Sequence, residues 1–432
     1  MAQYRIELAR ILKSAVYLFM TAAIVLFACT QGIIPPGSAL RKPEPDGFYG
    51  MKPSSDPSLI MPEAAEALFR QYSENKYVTY PNGFYKVVRL NQAERKKMAE
   101  IIAELSTETS GILQKSGKNA GAGNNEIRIS GENLQINDDG SFRIIMPDKE
   151  TPAEPAEIQF NPEITWERFK DLMAEADKLL GGGSDFSETW MSHRFGRIPV
   201  TYEEALKDYE LAVSCDKVTG SYARLFSDYM GIILGLLPVF PAVFLCMCDR
   251  KNISPVLYTR CISSARFILA RFLALATATI MPILLAGAVL TCIHAADYGL
   301  KNIDVFAYFR YAFFWILPTA MAAISVGLFF TTLTDTPAAI AIQLIWWFTD
   351  LLGGNKLYSY FGVRPLQLIP RHNGLGNVEA YISYLPDLVQ NRIRILLLTV
   401  LLVIGTIYVF SAKRRGFLYV PVFKRSKIQS AV

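Results

Sequence analysis

The chain has 432 residues, of which 51% are hydrophobic and 12% are aromatic. This composition is typical of a membrane protein that also carries a sizeable soluble portion. The net charge of +5 comes largely from segments predicted to be cytoplasmic, so it does not indicate a nucleic-acid partner. The six cysteines are scattered, which argues against a disulfide framework, and Cys246 and Cys248 lack a second pair at metal-ligand spacing. We predict no metal or cofactor bound by this chain.

The first residues form a segment with an apolar face. Residues 1–13 place four apolar side chains on that face: Tyr4, Leu8, Ile11 and Leu12. This spacing predicts an interfacial elbow helix. The apolar run over residues 14–34 predicts transmembrane helix 1. A cleaved signal is the alternative, because the run from Leu26 to Cys29 resembles a lipoprotein cleavage box. The apolar run continues to Ile34 and further spans follow it, which favours an anchored helix.

Residues 35–224 have a soluble composition and are numerous enough for a core of their own. Their first part is rich in Pro and Gly and reads as an extended tether. A capping box at Asn91 predicts a helix, and alternating apolar residues up to Ile144 predict a small β-meander. Further helices are predicted from Trp166 and from Thr201. We predict a large α+β extracytoplasmic domain between transmembrane helices 1 and 2.

Five more apolar runs follow this domain. They cover residues 230–248, 267–293, 311–333, 337–352 and 393–410. Because a helix rises about 1.5 Å per residue, most of these runs can cross a hydrocarbon core about 30 Å thick. We therefore predict a membrane α-helical bundle of six transmembrane helices, with helices 2–6 in residues 225–412. The run at 337–352 is short, so a tilted or partly re-entrant helix is the alternative. Trp346 and Trp347 near its end resemble an interfacial belt.

Basic residues set the predicted orientation of these spans. Three lie before the first span, four lie in the loop 249–266 and six lie in the tail 413–432, whereas the predicted outer segment 353–391 holds three. Short loops rich in Lys and Arg stay on the cytoplasmic side. We predict a multi-pass protein of the cytoplasmic membrane, with both termini in the cytosol and residues 35–224 outside.

The loop 249–266 contains a helix start. Ser254 is a suitable N-cap, and Pro255 suits the first helical position. These residues predict a helix of about two turns lying across the cytosolic mouth. An ordinary connector whose charges only fix the topology is the alternative, and spacing alone leaves both open.

Features of this stretch occur in a recognisable order. They are the Asp249-Arg250 pair closing a span, the short helix from Ser254, the Tyr258-Thr259-Arg260 step, Ser263, and the basic Arg271 opening the next span. This order of features resembles the one found in the permeases of type-2 ABC exporters. In that family the loop is the coupling helix that docks on the ATPase, and an elbow helix flanks the contact. This chain departs from the family at Cys261, where Pro is frequent, and at Ala270-Arg271, where Gly-Lys is common.

The resemblance implies a role for eight residues in coupling to an ATPase: Asp249, Arg250, Ser254, Pro255, Leu257, Tyr258, Thr259 and Arg260. The chain has no GxxxxGK[ST] phosphate loop. The resemblance implies that ATP and Mg bind a separate ABC ATPase subunit. It also implies a second permease subunit, the same chain or a related one, in the lipid bilayer. We expect this chain to be a transport subunit and not an enzyme. Gly231 and Gly235 lie four residues apart, which predicts helix packing.

A different class of function is open. The chain could be a membrane-anchored receptor or assembly factor whose extracytoplasmic domain binds a ligand or partner. One or two spans would suffice for an anchor, so six spans with a structured cytosolic loop favour transport. Charged residues such as Asp335 and Asp350 lie at span edges, so no ion-coupling site of a secondary transporter is evident. The lack of an intramembrane His or Asp cluster in the sequence argues against a membrane enzyme.

Overall fold

The computed structural model describes residues 2–34, 36, 40–80, 85–107, 134–136, 142–144, 159–252, 262–352 and 364–417. The chain divides into two compact units. We call Phe48–Val200 the insert unit, and Met1–Gly47 together with Thr201–Val432 the bundle unit. The described residues are mostly helical, and their strands are short.

In chain order the helices are α1 (Ala2–Leu12), α2 (Ala15–Thr30), α3 (Pro57–Glu74), α4 (Gln92–Leu105), α5 (Trp166–Leu179), α6 (Glu188–Arg194), α7 (Tyr202–Ser214), α8 (Thr219–Leu234), α9 (Val239–Asn252), α10 (Ser264–Tyr298), α11 (Ala307–Tyr311), α12 (Leu317–Thr334), α13 (Ala338–Leu352) and α14 (Val378–Arg414). A π-helical turn, Ala312–Ile316, joins α11 to α12. The strands are β1 (Met51–Pro53), β2 (Tyr77–Thr79), β3 (Lys86–Val88), β4 (Leu134–Ile136), β5 (Phe142–Ile144) and β6 (Arg197–Pro199).

The insert unit has its own hydrophobic core. Apolar faces of α3, α4 and α5 meet there, and their central side chains are fully buried: Leu68, Met98, Ile102, Phe169 and Met173. Three antiparallel strand pairs accompany these helices, β1 with β6, β2 with β3, and β4 with β5. The capping box predicted at Asn91 is present. The hairpin of β4 and β5 is the described part of the predicted meander; its earlier strand lies outside the described residues.

The first part of this unit was predicted wrongly. The predicted tether contains β1, which pairs with β6 almost 150 residues later in the chain. It is followed by α3, a helix of 18 residues that the sequence analysis did not predict. Asp56 caps that helix through the amide of Ser58, at 2.9 Å, and Pro57 occupies its first turn.

In the bundle unit, four described helices are long and apolar enough to cross a membrane. They are Thr219–Asp249, Ser264–Tyr298, Ala307–Thr334 and Val378–Arg414. The pair of α1 and α2, bent by 65°, makes a fifth candidate if it counts as one span. The apolar helix α13 has 15 residues, so it extends about 22 Å, less than a core of about 30 Å. The count of six spans stays a prediction.

Successive spans run in opposite directions, and contacts between them define two ends of the bundle unit. The loop end carries Asn252, Ser264, Thr334 and Arg414; the opposite end carries Thr219, Tyr298, Ala307 and Val378. At the loop end, Arg414 donates to the carbonyl of Ile262 at 2.6 Å. At the opposite end, the hydroxyls of Tyr222 and Tyr298 lie 3.0 Å apart.

Near the opposite end, the structure differs from one sequence interpretation. The last predicted span covers residues 393–410, but its helix, α14, begins at Val378 within the predicted outer segment 353–391 and continues unbroken for 37 residues. The described residues 364–377 before it are not helical, and Leu368 and Ile369 are buried. Trp346 and Trp347 pack on the cluster that contains these two residues, and their place at a membrane interface stays a prediction.

Candidate coupling site at the loop end

The helices on either side of the predicted coupling loop have defined ends. α9 continues past Asp249 to Asn252, and α10 begins at Ser264. The hydroxyl of Ser263 accepts a hydrogen bond from the amide of Arg266 at 3.2 Å, which caps α10. We call α9 the first stem of the loop and the start of α10 its second stem.

Of the eight residues predicted to couple to an ATPase, Asp249 and the backbone of Arg250 lie in the first stem. The other six lie outside the described residues: Ser254, Pro255, Leu257, Tyr258, Thr259 and Arg260. Their assignment stays a prediction. The structure places Asp249 away from solvent, at 4% exposure. A carboxylate at that burial needs a cationic partner.

Asp249 belongs to a buried ion cluster that joins three helices. Arg271 of α10 pairs with Asp249 of α9, and its Nε lies 3.0 Å from Oε2 of Glu7 in α1. Arg10, one turn further along α1, places Nη1 2.6 Å from Oδ1 of Asp249. We call these four residues, Glu7, Arg10, Asp249 and Arg271, the ion cluster. Glu7 and Arg271 are each only 3% exposed.

Charge balance explains why such a cluster is tolerated away from water. It contains two carboxylates and two guanidinium groups, so its formal net charge is zero. Arg271 forms a fork on Glu7, with a second contact from Nη2 to Oε1 at 3.3 Å, and its guanidinium lies 4.5 Å from the ring centroid of Phe267. If one member is removed, another charge is left buried without its partner, which costs about 3–5 kcal/mol.

The elbow helix α1 makes other contacts with the second stem. The hydroxyl of Tyr4 donates to Oγ1 of Thr277 at 3.0 Å. Ile11 is 1% exposed and belongs to the bundle core that includes Phe272 and Leu275 of α10. The apolar face predicted for α1 therefore packs on α10, with the ion cluster in the same contact.

The end of α14 holds the second stem from another side. Arg414 donates to the carbonyl of Ile262 at 2.6 Å, and the rings of Phe267 and Phe410 stack with centroids 5.2 Å apart. Lys413 pairs with Asp335 at 2.7 Å. Both stems of the loop are therefore fixed, the first by the ion cluster and the second by the ion cluster together with α14.

Among the described residues, the nearest side chain to Gly231 and Gly235 from outside their helix is that of Ile369, which is not in a helix. A Cβ atom built on Gly231 would lie 3.5 Å from Cγ2 of Ile369, and one built on Gly235 would lie 3.1 Å from Cδ1 of the same residue. The carbonyl of Gly235 accepts from Gln343 at 2.6 Å. The pair thus makes room for Ile369 in the buried part, residues 367–370, of the non-helical segment 364–377, and a helix-packing role stays a prediction.

A second set of buried polar contacts, at the opposite end, holds that segment. Asp228 accepts from the amide of His372 at 2.9 Å and from the amide of Asn373 at 2.6 Å. Asp350 accepts from the amide of Ile369 at 2.8 Å. Arg392 donates to the carbonyl of Gln367 at 2.9 Å. These residues satisfy backbone groups that would otherwise be buried without partners.

Sequence reasoning identified Asp249 and Arg271 but missed Glu7 and Arg10 as their partners. A usable signal was present, since Glu7 and Arg10 are three residues apart in a predicted helix and therefore lie on one side of it. Within the described residues, no group of three or more His, Cys, Asp or Glu side chains could hold a metal ion. Comparison of the chain with protein-family models, with curated proteins and with solved structures finds no match.

Proposed function

We propose that this chain is the membrane permease subunit of an ABC transporter, which exports a substrate with energy from ATP hydrolysed on a separate ATPase subunit. The observation that carries the proposal is the ion cluster, because it joins the elbow helix to both stems of the loop 249–266. The sequence of that loop resembles the coupling helix of type-2 ABC exporters.

A loop that transmits force needs stems that move together with the helices behind them. The buried charges of the ion cluster resist separation, since breaking one pair leaves an uncompensated charge in a poorly solvated place. A displacement of the loop would therefore carry α1, α9 and α10 with it as one body. The contact between Arg414 and Ile262 would extend the displacement to α14. This arrangement suits transmission better than simple anchoring.

Several finer features belong to the same proposal. The chain would have six spans with both termini in the cytosol, and residues 35–224 would lie outside the cytoplasmic membrane. Two permease subunits, alike or different, would assemble with two ATPases that bind ATP and Mg. Residues Tyr258 and Arg260 would contact the ATPase, as an aromatic and a cationic side chain of the kinds enriched in binding hot spots.

The alternative is a membrane-anchored receptor or assembly factor. One observation favours it: the insert unit has a hydrophobic core of its own, as a ligand-binding domain requires. A receptor of this kind needs no ATPase, so the two functions differ in whether an ABC ATPase subunit stays bound to the purified chain.

The double variant Tyr258→Ala with Arg260→Ala tests the proposal. Truncation of a hot-spot residue costs about 2 kcal/mol or more, which corresponds to about 30-fold weaker binding. We expect the double variant to insert normally into the membrane. It should either bind the ABC ATPase at least about 30-fold more weakly, so that less ATPase co-purifies, or hydrolyse ATP without driving transport. The measurement is quantitative affinity purification of the tagged full-length chain from its native membrane.

A matched control removes the same side chains elsewhere. Tyr85→Ala with Arg394→Ala changes two exposed positions outside the loop, and it should retain the ATPase. If no ABC ATPase co-purifies with the parent chain, the permease proposal is wrong and the receptor is favoured. If the parent retains it and the double variant binds and transports equally well, the role of these two loop residues is wrong.

A further inference from the structure

The opposite end of the bundle unit contains a groove that the proposed coupling mechanism does not use. It lies between the start of the third candidate span, including the π-helical turn, and the first half of α14, and its volume is about 440 Å³. One wall carries Phe313 and Phe314, and the facing wall carries Leu385, Val389 and Ile393. This volume is in the range of sites that hold a drug-sized ligand or part of a lipid.

The apolar walls of the groove are open to the surroundings of the bundle. Phe314 is 75% exposed and Val389 is 50% exposed. Below them, Leu397 and Leu401 continue an exposed apolar stripe along α14. The groove is therefore continuous with a face that suits contact with hydrocarbon, and an occupant can enter it sideways from a bilayer.

The π-helical turn shapes the aromatic wall. A π turn places an extra residue in the helix and is frequent at functional sites. Here it includes both Phe313 and Phe314, while Trp315 in the same turn is 3% exposed and donates its indole N–H to the carbonyl of Pro370 at 3.1 Å. Two aromatic rings thus face outward beside one that is fixed inside.

Among the described residues, the charged side chains lining the groove are those of two arginines, Arg310 and Arg392. Arg310 is paired with Asp304 but its side chain is 60% exposed. Arg392 is 6% exposed, and its bonded acceptors are neutral, among them Oγ1 of Thr319 at 2.8 Å and Oδ1 of Asn391 at 2.9 Å. No carboxylate lies within ion-pair distance of Arg392 among the described residues. The charge of Arg392 thus adds to that of Arg310, and a positive charge in apolar surroundings attracts an anion because those surroundings screen it weakly.

The position of the groove along the length of the bundle suits a ligand with a polar head and an apolar tail. α14 has 37 residues and is about 55 Å long, so it exceeds a hydrocarbon core of about 30 Å. The groove lies beside the first half of α14 and the beginning of the third candidate span, where both helices approach the membrane surface. Tyr311 and Tyr381 also line it, and Tyr is enriched at that depth.

We infer that this groove binds an anionic phospholipid. Its phosphate-bearing head lies at Arg310, and an acyl chain lies between Phe314 and Val389. The inference is independent of the proposed function, since it uses no loop residue and needs no ATPase. Ordinary contact with bulk lipid would show no preference for an acidic head group.

The test compares phosphatidylglycerol with phosphatidylcholine of identical acyl chains, each added to the delipidated full-length chain in detergent. Native mass spectrometry measures the bound lipid. We expect one site at which phosphatidylglycerol binds at least 10-fold more tightly. Val389→Trp fills the groove and should abolish that site, whereas Leu397→Trp, on the exposed stripe outside the groove, should retain it.

A second pair of variants tests the charge. Arg310→Gln should reduce the preference for phosphatidylglycerol several-fold, and Arg394→Gln, which changes an exposed arginine on α14 outside the groove lining, should leave it unchanged. Because Arg310 is exposed, this variant does not disturb the core. Equal binding of the two lipids by the parent would overturn the inference, as would an unchanged preference in both Val389→Trp and Arg310→Gln.

Discussion

At the residue scale, Arg271 contributes most of the contacts within the ion cluster. Its substitution by Gln would leave Glu7 and Asp249 buried with one guanidinium, that of Arg10, between them. We expect the free energy of unfolding to fall by about 3–5 kcal/mol, measured by SDS titration of the purified chain. The loss should be smaller when Glu7→Gln is added, because the second change removes one of the uncompensated charges.

Arg266→Gln is the matched control for this prediction. Arg266 precedes Arg271 by five residues in the same helix and is exposed, so its substitution should change stability by no more than about 0.5 kcal/mol. Equal effects of the two substitutions would mean that the buried pairs do not stabilise the loop end.

Tyr77 gives the insert unit a specific response to high pH. The residue is fully buried, and its hydroxyl has no hydrogen-bond partner among the described residues. Burial raises the pKa of Tyr77 well above its usual value, whereas an unfolded tyrosine titrates near 10. The stabilising effect of the neutral side chain is thus present below about pH 10. Above that pH the unfolded chain loses the proton more readily, so stability falls.

We expect Tyr77→Phe to remove this response. Phe cannot ionise, so the variant should gain stability relative to the parent by about 1.4 kcal/mol per pH unit above pH 10. At pH 7 it should be at least as stable, since an unpaired buried hydroxyl is removed. Urea unfolding followed by tryptophan fluorescence measures both values. Tyr85→Phe, at a position that is 64% exposed, should show no pH-dependent gain; a parallel gain there would contradict the argument.

At the element scale, Gly327 allows α12 to approach α9 closely. A Cβ atom on Gly327 would lie 2.8 Å from Cβ of Ala242 and 3.3 Å from the carbonyl oxygen of Val239. Neither atom can move without its backbone, so Gly327→Ala overpacks the contact. We expect a loss of about 1–3 kcal/mol in the free energy of unfolding, measured by SDS titration.

Gly231→Ala provides the comparison. An added Cβ there would meet Ile369 at 3.5 Å, an ordinary contact, and Ala favours the helix by up to about 1 kcal/mol relative to Gly. This variant should be neutral or more stable than the parent. If both substitutions destabilise equally, the close approach of α9 and α12 is not what Gly327 provides.

Short sequence patterns predicted the elements whose stability depends on contacts between residues close together in the chain. The capping boxes at Asn91 and Thr201 are both present, because each forms between residues three apart. The strand β1 was missed, since its partner β6 is remote in the chain and a three-residue run shows no clear alternation. The helix α3 was missed because Pro57 and Pro62 suggest a turn, although Pro is well tolerated in a first turn.

The candidate site was predictable only in part for the same reason. Asp249 and Arg271 stand out because they are charges beside long apolar runs. Arg271 pairs with Glu7, which lies 264 positions away in the chain, and no local pattern can specify such a contact. The burial of residues 367–370 and His372 within the predicted outer segment was likewise hidden. Only the buried carboxylates of Asp228 and Asp350, which accept from amides of this stretch, show why its backbone can lie inside.

At the scale of the whole molecule, the two ends of the bundle unit carry different segments of the chain. The membrane topology must place each end on the side that suits its segments. The loop end joins the loop 249–266 to the basic tail 413–432, and short segments rich in Lys and Arg remain in the cytosol. The opposite end carries α7 and the insertion point of residues 48–200. Retention of the loop end in the cytosol would therefore put these residues outside.

Impermeant thiol labelling of intact cells tests this orientation. The parent for the test has all six native cysteines replaced, and it receives one new cysteine by Glu203→Cys or by Thr336→Cys. Both positions are exposed; Glu203 lies in the first turn of α7 near the opposite end, and Thr336 follows α12 at the loop end. We expect the reagent to label position 203 in intact cells and position 336 only after the membrane is permeabilised. Labelling of both positions after permeabilisation is the control for reactivity. The reverse pattern in intact cells would invert the topology and place the loop 249–266 beyond the reach of a cytosolic ATPase, so the permease proposal would fail with it.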